Sequence, residues 1–145
     1  MSIRKKLINN NNVYFCTVTC FKWIHLFEIT KLYDHIYDWF DYLNRKSIKV
    51  TGFVIMPNHF HALFYLPGTE LNINKIIANC KRFMAYEIVK RLTDLRNLKL
   101  LDELSGSINT SEIAKGKKHN VFEPSFDAKI IVSEKFIVQK LNYIH

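Results

Sequence analysis

The stretch SIKVTGFVIMPNHFHALFYLP, residues 47 to 67, contains two apolar runs on either side of a Pro-Asn pair. Its β-branched and aromatic residues predict one strand from Ser47 to Met56 and another from His59 to Leu66. Pro57-Asn58 has the composition of a tight turn. The stretch therefore predicts a β-hairpin, and the rest of the fold is built outward from it.

The flanking sequence alternates strands and helices. VYFCTVTC near the N-terminus reads as a strand, and the helical periods before and after the hairpin predict two longer helices. The predicted elements are a strand Val13–Cys20, a helix from an N-cap at Thr30 to Arg45, the hairpin, a helix Ile73–Leu95, a strand Ala128–Val132 and a last helix from Ser133 to the C-terminus. This order predicts an α+β fold, a ferredoxin/RRM-like sandwich with a mostly antiparallel sheet, helices on one face and the other face open.

Length and composition predict a single domain over residues 1–145, with 48% apolar residues. The interval from Asp102 to Asn120, DELSGSINTSEIAKGKKHN, is polar and contains Ser, Gly and Asn. We expect it to form a flexible linker before the C-terminal strand and helix.

Two histidines begin the second strand of the hairpin. His59 and His61 are separated by one residue, and side chains alternate across a strand, so both imidazoles should point to the same face. Phe60, Ala62 and Phe64 should then point to the opposite face, toward the helices. Two imidazoles on one face can chelate a metal ion, although a bare His-x-His at a strand start can also serve only as hydrogen-bonding residues.

The text FVIMPNHFHALFYLP resembles the HUH motif (His-hydrophobic-His) of single-tyrosine transposases, and more narrowly that of the REP-associated tyrosine transposases. YFCTVTC is similar to the first strand of that family, and VFEPSFDAKIIVSEKFIVQKLNYIH resembles its C-terminal stretch. The resemblance covers most of the chain. It implies a site on the open face of the sheet, with Mg²⁺ or Mn²⁺ held by His59 and His61. It also implies single-stranded or hairpin DNA as the substrate that is nicked and rejoined.

The resemblance assigns the nucleophile to Tyr143, which would attack a DNA phosphodiester, form a 5′-phosphotyrosine link and free a 3′-hydroxyl. In its predicted helix Tyr143 lies about 100° or more from the apolar stripe, beside the core rather than in it. Two other tyrosines are alternatives. Tyr86 lies on the basic helix, and Tyr65 shares the histidine face of its strand.

The sequence departs from the family near its C-terminus. The family usually completes its metal site with a polar residue one helical turn after the tyrosine, which would be position 147, beyond the last residue His145. Either the chain is truncated, or His145, Gln139 or water completes the site. Phe122 and Glu123 also stand where the family has Trp-Gln. Two alternatives therefore stay open: a catalytically degenerate relative that binds DNA hairpins, and a metal-dependent phosphodiesterase that uses water.

The chain is strongly basic, with a formal net charge of +8. Seven basic and only two acidic residues lie between Leu71 and Lys99. A solvated helix face is the simplest reading of such a run, but a polyanionic partner is also typical of it. We expect this helix to be the main element that binds DNA phosphates. Its leading candidates are Lys81, Arg82, Lys90 and Arg91. Flexible arms that bind DNA could be formed by the N-terminal Arg4, Lys5 and Lys6, and by Lys115, Lys117 and Lys118 of the interval from Asp102 to Asn120.

Other classes of protein are disfavoured by composition. Three cysteines without paired spacing fit free thiols of a reducing cytosol better than a disulfide framework. The N-terminus has no apolar core of a secretory signal, and no apolar run is long enough to span a membrane. We expect a cytoplasmic protein without a membrane partner. A homodimer is possible, since the family that it resembles includes both dimers and monomers.

Overall fold

The computed structural model describes residues 11–68, 72–106, 108–124 and 127–130. The structure contains several short helices in addition to the predicted ones. In chain order the elements are β1 (Asn11–Thr19), a 3₁₀ turn (Phe21–Trp23), α1 (Leu26–Ile29), α2 (Tyr33–Arg45), β2 (Lys49–Met56), β3 (His59–Pro67), α3 (Ile73–Asp94), α4 (Leu98–Gly106), α5 (Thr110–Ala114) and β4 (Asp127–Ile130). The predicted last helix, from Ser133, lies outside the described residues.

The described strands form one four-stranded antiparallel sheet in the order β2-β3-β1-β4. The predicted hairpin is present, with Met56 paired to His59 across Pro57-Asn58. Helices connect β1 to β2 and β3 to β4, which gives the β-α-β-β-α-β order of ferredoxin-like folds. The predicted α+β fold with a mostly antiparallel sheet is confirmed.

One face of the sheet packs against α2 and α3. Phe60 and Phe64 of β3 are fully buried, because alternate residues of the strand point toward the helices. The Phe40 ring of α2 lies 5.8 Å from that of Phe60 and 6.3 Å from that of Phe64. From α3 the core receives the buried side chains of Ile77, Cys80, Met84, Ile88 and Leu92. The helices therefore cover one face of the sheet, and the alternate residues of the strands point to the other face.

The second face of the sheet is only partly open. Leu63 and Phe15 on this face are buried, whereas Met56 at the hairpin is 42% exposed. The hairpin end of this face, where β3 begins and β1 ends, is thus partly exposed.

The beginning of α2 differs from the prediction. Thr30 is not its N-cap: the Thr30 hydroxyl donates to the Leu26 carbonyl at 2.6 Å and closes the short helix α1. Lys31 adopts a left-handed backbone with φ of 52°, so the chain turns before α2 begins at Tyr33. The apolar period of the sequence did not reveal this break, because Leu32 remains buried across it.

The interval expected to be a flexible linker contains helices, and that expectation is corrected. Leu104 in α4 is fully buried, and its carbonyl accepts the backbone N–H of Asn120 at 2.8 Å. Asn109 begins α5 with a capping box to Glu112. Gly106 ends α4 and Asn109 caps α5, so these two residues mark helix ends rather than a structureless segment.

Replacing Leu104 with alanine should lower the free energy of unfolding by about 2–5 kcal/mol, because a buried leucine is lost from the core. Leu98→Ala is the matched control, since Leu98 lies on the same helix and is 68% exposed. Urea denaturation of the two variants measures the difference. Equal stability of both variants would contradict the packing of α4.

Candidate functional site

His59 and His61 lie side by side at the start of β3. Their ring centroids are 4.9 Å apart, and the rings meet edge to face at 79°. His59 is half-buried and His61 is only 8% exposed. The pair therefore stands where the exposed part of the second face meets its covered part.

The hydrogen bonds of His59 define its protonated nitrogen. The Asn58 side-chain amide donates to the carbonyl of Trp23 at 3.1 Å, which leaves the Asn58 Oδ1 as an acceptor. The 2.7 Å contact between that oxygen and His59 Nδ1 is then a hydrogen bond donated by the imidazole. The lone pair of neutral His59 is consequently on Nε2. Burial lowers the pKa of His59, which favours the neutral form that binds metals.

His61 is positioned by residues of β1. Its Nδ1 lies 2.8 Å from the Thr17 hydroxyl, and its ring stacks on Phe15 with centroids 5.3 Å apart. Thr17 is directly opposite His61 in the β1–β3 register. A hydrogen bond to Nδ1 and a stacked ring are the supports that hold a metal-binding imidazole in one orientation.

The donor set fits a divalent metal in part. Two imidazoles supply two nitrogen ligands, a set that suits first-row transition ions such as Mn²⁺ better than Mg²⁺, which prefers oxygen. Within the described ranges, no group of three His, Cys, Asp or Glu side chains could hold a metal ion. Tyr143, the predicted nucleophile, lies outside the described residues, as do Gln139 and His145.

A basic pocket of about 780 Å³ lies between α3 and the segment from residue 115 to residue 124. Its wall carries five lysine or arginine side chains, one histidine and one exposed tyrosine. These are Lys81, Arg82, Lys115, Lys117, Lys118, His119 and Tyr86. The fold thus brings two of the four helix residues predicted to bind DNA together with the three lysines predicted to form an arm.

Lys81 and Arg82 face this pocket in different ways. Lys81 is half-buried, and its ammonium group donates to the Glu123 carbonyl at 2.8 Å. Burial lowers the pKa of Lys81, and the nearby Glu123 carboxylate partly opposes this shift. Arg82 is exposed, and its guanidinium lies 4.9 Å from the centroid of the Phe83 ring. Both can present hydrogen-bond donors to an anion in the pocket.

The other two predicted DNA-binding residues lie outside the pocket lining. Lys90 is exposed to solvent. The Arg91 guanidinium binds both carboxylate oxygens of Asp34, at 3.0 and 3.2 Å, and Glu87 at 2.9 Å. It also donates to the carbonyls of Thr30 and Lys31, at 3.2 and 2.8 Å. Arg91 therefore links α3 to the turn between α1 and α2, and these partners occupy most of its donors.

The pocket and the histidine pair meet at the end of β1. Thr19 is paired with His59 on one side, and on the other side its carbonyl accepts the Glu123 N–H at 2.9 Å. Glu123 is also a residue of the pocket lining. Glu123 therefore connects the pocket lining with the end of β1 that pairs with His59.

Sequence reasoning missed the residues that support the histidines. Thr17 and Phe15 could be recognised only from the register between β1 and β3, which alternation alone does not give. Asn58 was treated only as a turn residue. Trp23 and His119 carried no pattern that pointed to them.

No protein-family profile and no curated protein matches this chain. A solved structure of a REP-associated tyrosine transposase bound to a REP hairpin is similar in fold, with a TM-score of 0.56 and 19% sequence identity over 93% of this chain. This chain corresponds to 65% of the length of that transposase chain. A candidate transposase from Deinococcus radiodurans R1 has a TM-score of 0.49 and 14% identity over 92% of this chain and 88% of its own.

Among the described residues, none of the helices combines the length and the apolar composition that a membrane span requires. The homodimer considered from the sequence stays a prediction.

Replacing Arg91 with methionine should lower the free energy of unfolding by about 1–3 kcal/mol, because charged hydrogen bonds to two carboxylates and two carbonyls are removed. Lys90→Met is the matched control on the same helix and should change stability by less than about 0.5 kcal/mol. Thermal denaturation compares the two variants. If Arg91→Met weakened DNA binding but left stability unchanged, the structural role of Arg91 would be wrong.

Proposed function

We propose that this chain is a DNA transposase of the REP-associated tyrosine type, which nicks and rejoins single-stranded or hairpin DNA. The observation that carries the proposal is the His59–His61 pair, oriented by Asn58 and Thr17 at the exposed end of a transposase-like sheet. The similar structure is described with a REP hairpin bound, which supports a hairpin substrate for this chain.

In this proposal His59 and His61 hold Mg²⁺ or Mn²⁺ through Nε2, while their Nδ1 atoms remain bonded to Asn58 and Thr17. When bound, the ion would polarise the scissile phosphate and offset negative charge in the transition state. Because His61 is only slightly exposed, few water molecules could reach the histidine pair and compete there as ligands of the ion.

Tyr143 is the proposed nucleophile. Its phenolic oxygen attacks phosphorus and loses its proton, a 5′-phosphotyrosine bond forms, and the bond from phosphorus to the 3′-oxygen breaks. That oxygen takes up a proton and leaves as a 3′-hydroxyl. The covalent link conserves the energy of the phosphodiester, so the reverse attack by a 3′-hydroxyl joins strands without ATP.

The basic pocket is proposed to bind the DNA backbone beside this centre. Lysine and arginine neutralise phosphates without reading sequence, and release of counterions makes such binding sensitive to salt. The pocket, rather than the whole basic helix, is the favoured surface, because the donors of Arg91 are engaged elsewhere.

Incubation with a hairpin oligonucleotide and Mn²⁺ should give a covalent protein–DNA adduct that survives denaturing electrophoresis. Tyr143→Phe and the His59→Ala/His61→Ala variant should lose the adduct but keep DNA binding, because the phosphate-binding pocket is untouched. Tyr65→Phe is the matched control and should retain it.

The same experiment separates the alternatives. Binding without an adduct in the unaltered chain would indicate a protein that only holds DNA. Cleavage that persists in Tyr143→Phe without an adduct would indicate water as the nucleophile, and an adduct that persists there but is lost in Tyr86→Phe would move the role to Tyr86.

Replacing exposed Arg82 and Lys118 together with alanine should reduce the dependence of DNA affinity on salt. The slope of log K against log salt should become shallower by about 0.7 for each phosphate of a single strand that the variant no longer neutralises. Lys46→Ala removes a basic residue that is outside the pocket lining and serves as the control. Fluorescence anisotropy at several salt concentrations gives the slopes, and equal slopes in all three proteins would rule out the pocket as the DNA-binding surface.

A further inference from the structure

Trp23 is an exposed aromatic side chain beside the histidine pair. The indole is 58% exposed, and its ring centroid lies 5.7 Å from that of His59 in an edge-on arrangement of 65°. The hydrophobic core formed by the described residues does not include it. The chain's other tryptophan, Trp39, is 8% exposed and packs against Phe40 and Phe64. Packing in the core therefore does not explain the position of Trp23.

The backbone that presents Trp23 is strained. Lys22 and Trp23 are consecutive non-glycine residues in the left-handed region, with φ of 52° and 59°. Such conformations persist only where surrounding contacts impose them, and they cluster at functional sites. Two such residues in succession therefore need contacts that hold the turn in place.

Two contacts from distant segments hold this backbone in place. The Lys22 N–H donates to the Glu123 carboxylate at 2.8 Å, and the Trp23 carbonyl accepts the Asn58 side-chain amide at 3.1 Å. Asn58 is the same residue that accepts from His59 Nδ1. The indole, the metal-binding imidazole and the edge of the basic pocket at Glu123 are therefore positioned by one connected set of hydrogen bonds.

We propose that Trp23 is a stacking platform for an unpaired base of single-stranded DNA, next to the nucleotide whose phosphate meets the histidine pair. This inference rests on the proposed function, and it adds a residue that positions the strand. Every base has a π-face, so stacking on an exposed indole tolerates any sequence. The lysines of the basic pocket, whose lining includes Glu123, favour a strand that carries phosphates over an uncharged partner.

Intrinsic fluorescence can test the contact directly, since Trp23 is the exposed one of only two tryptophans. The probes are a 12-nucleotide deoxythymidine strand and an abasic strand of the same length, each with an end label for anisotropy. Stacking should quench tryptophan emission with the thymidine strand and not with the abasic one. Trp23→Phe should abolish the quenching.

Affinity gives a second readout. Trp23→Ala should weaken binding of the thymidine strand by about 5- to 100-fold and leave the abasic strand almost unchanged. Trp23→Phe, which keeps a ring, should recover part of that affinity. Tyr42→Ala is the matched control, because it removes an exposed aromatic side chain from α2, on a different part of the surface.

The outcomes separate this inference from the proposed function. Unaltered binding by Trp23→Ala, or binding without quenching in the unaltered chain, overturns the stacking role and leaves the proposed function standing. An equal loss of affinity for both strands indicates a structural role and also overturns it. Absence of binding to both strands overturns the stacking role, and absence of binding to the hairpin oligonucleotide as well overturns the proposed function.

Discussion

The antiparallel pairing of β1 with β3 is the constraint on which the candidate site depends. It sets Thr17 opposite His61 and Thr19 opposite His59, while Cys16 and Val18 face the helices with Ala62 and Phe60. A slip of one residue would turn the imidazoles into the core and the apolar residues outward. Such a slip would expose the fully buried side chains of Phe60 and Phe64. The free energy gained by burying them therefore also stabilises the orientation of the histidines.

The segment around Glu123 contacts both the turn beside the histidine pair and the lining of the basic pocket. Phe122 forms a β-bridge with Cys20 and packs in the core against Phe27. Glu123 then uses its carboxylate to hold Lys22 and its carbonyl to accept the ammonium group of Lys81. A single residue thereby connects the turn beside the histidine pair with the basic pocket.

Residues of the same charge on one helix have different uses. Arg82 and Arg91 both belong to α3, and charge or helical period does not distinguish them. Arg82 is exposed on the wall of the pocket, whereas Arg91 is committed to Asp34, Glu87 and two carbonyls. A run of basic residues thus predicts a surface that binds polyanions only after residues engaged by other groups of the same chain, such as Arg91, have been excluded.

The sequence by itself determined the hairpin, the shared face of His59 and His61 and the long helix α3, because each follows from a period of two or 3.6 residues within one segment. Only the tertiary structure decided the partners of Arg91, the packing of Leu104 and the exposed position of Trp23. These depend on contacts between distant segments: 44 residues separate Thr17 from His61, and 101 separate Lys22 from Glu123. Local periodicity does not specify which distant groups meet, since that is decided by how the helices pack on the sheet.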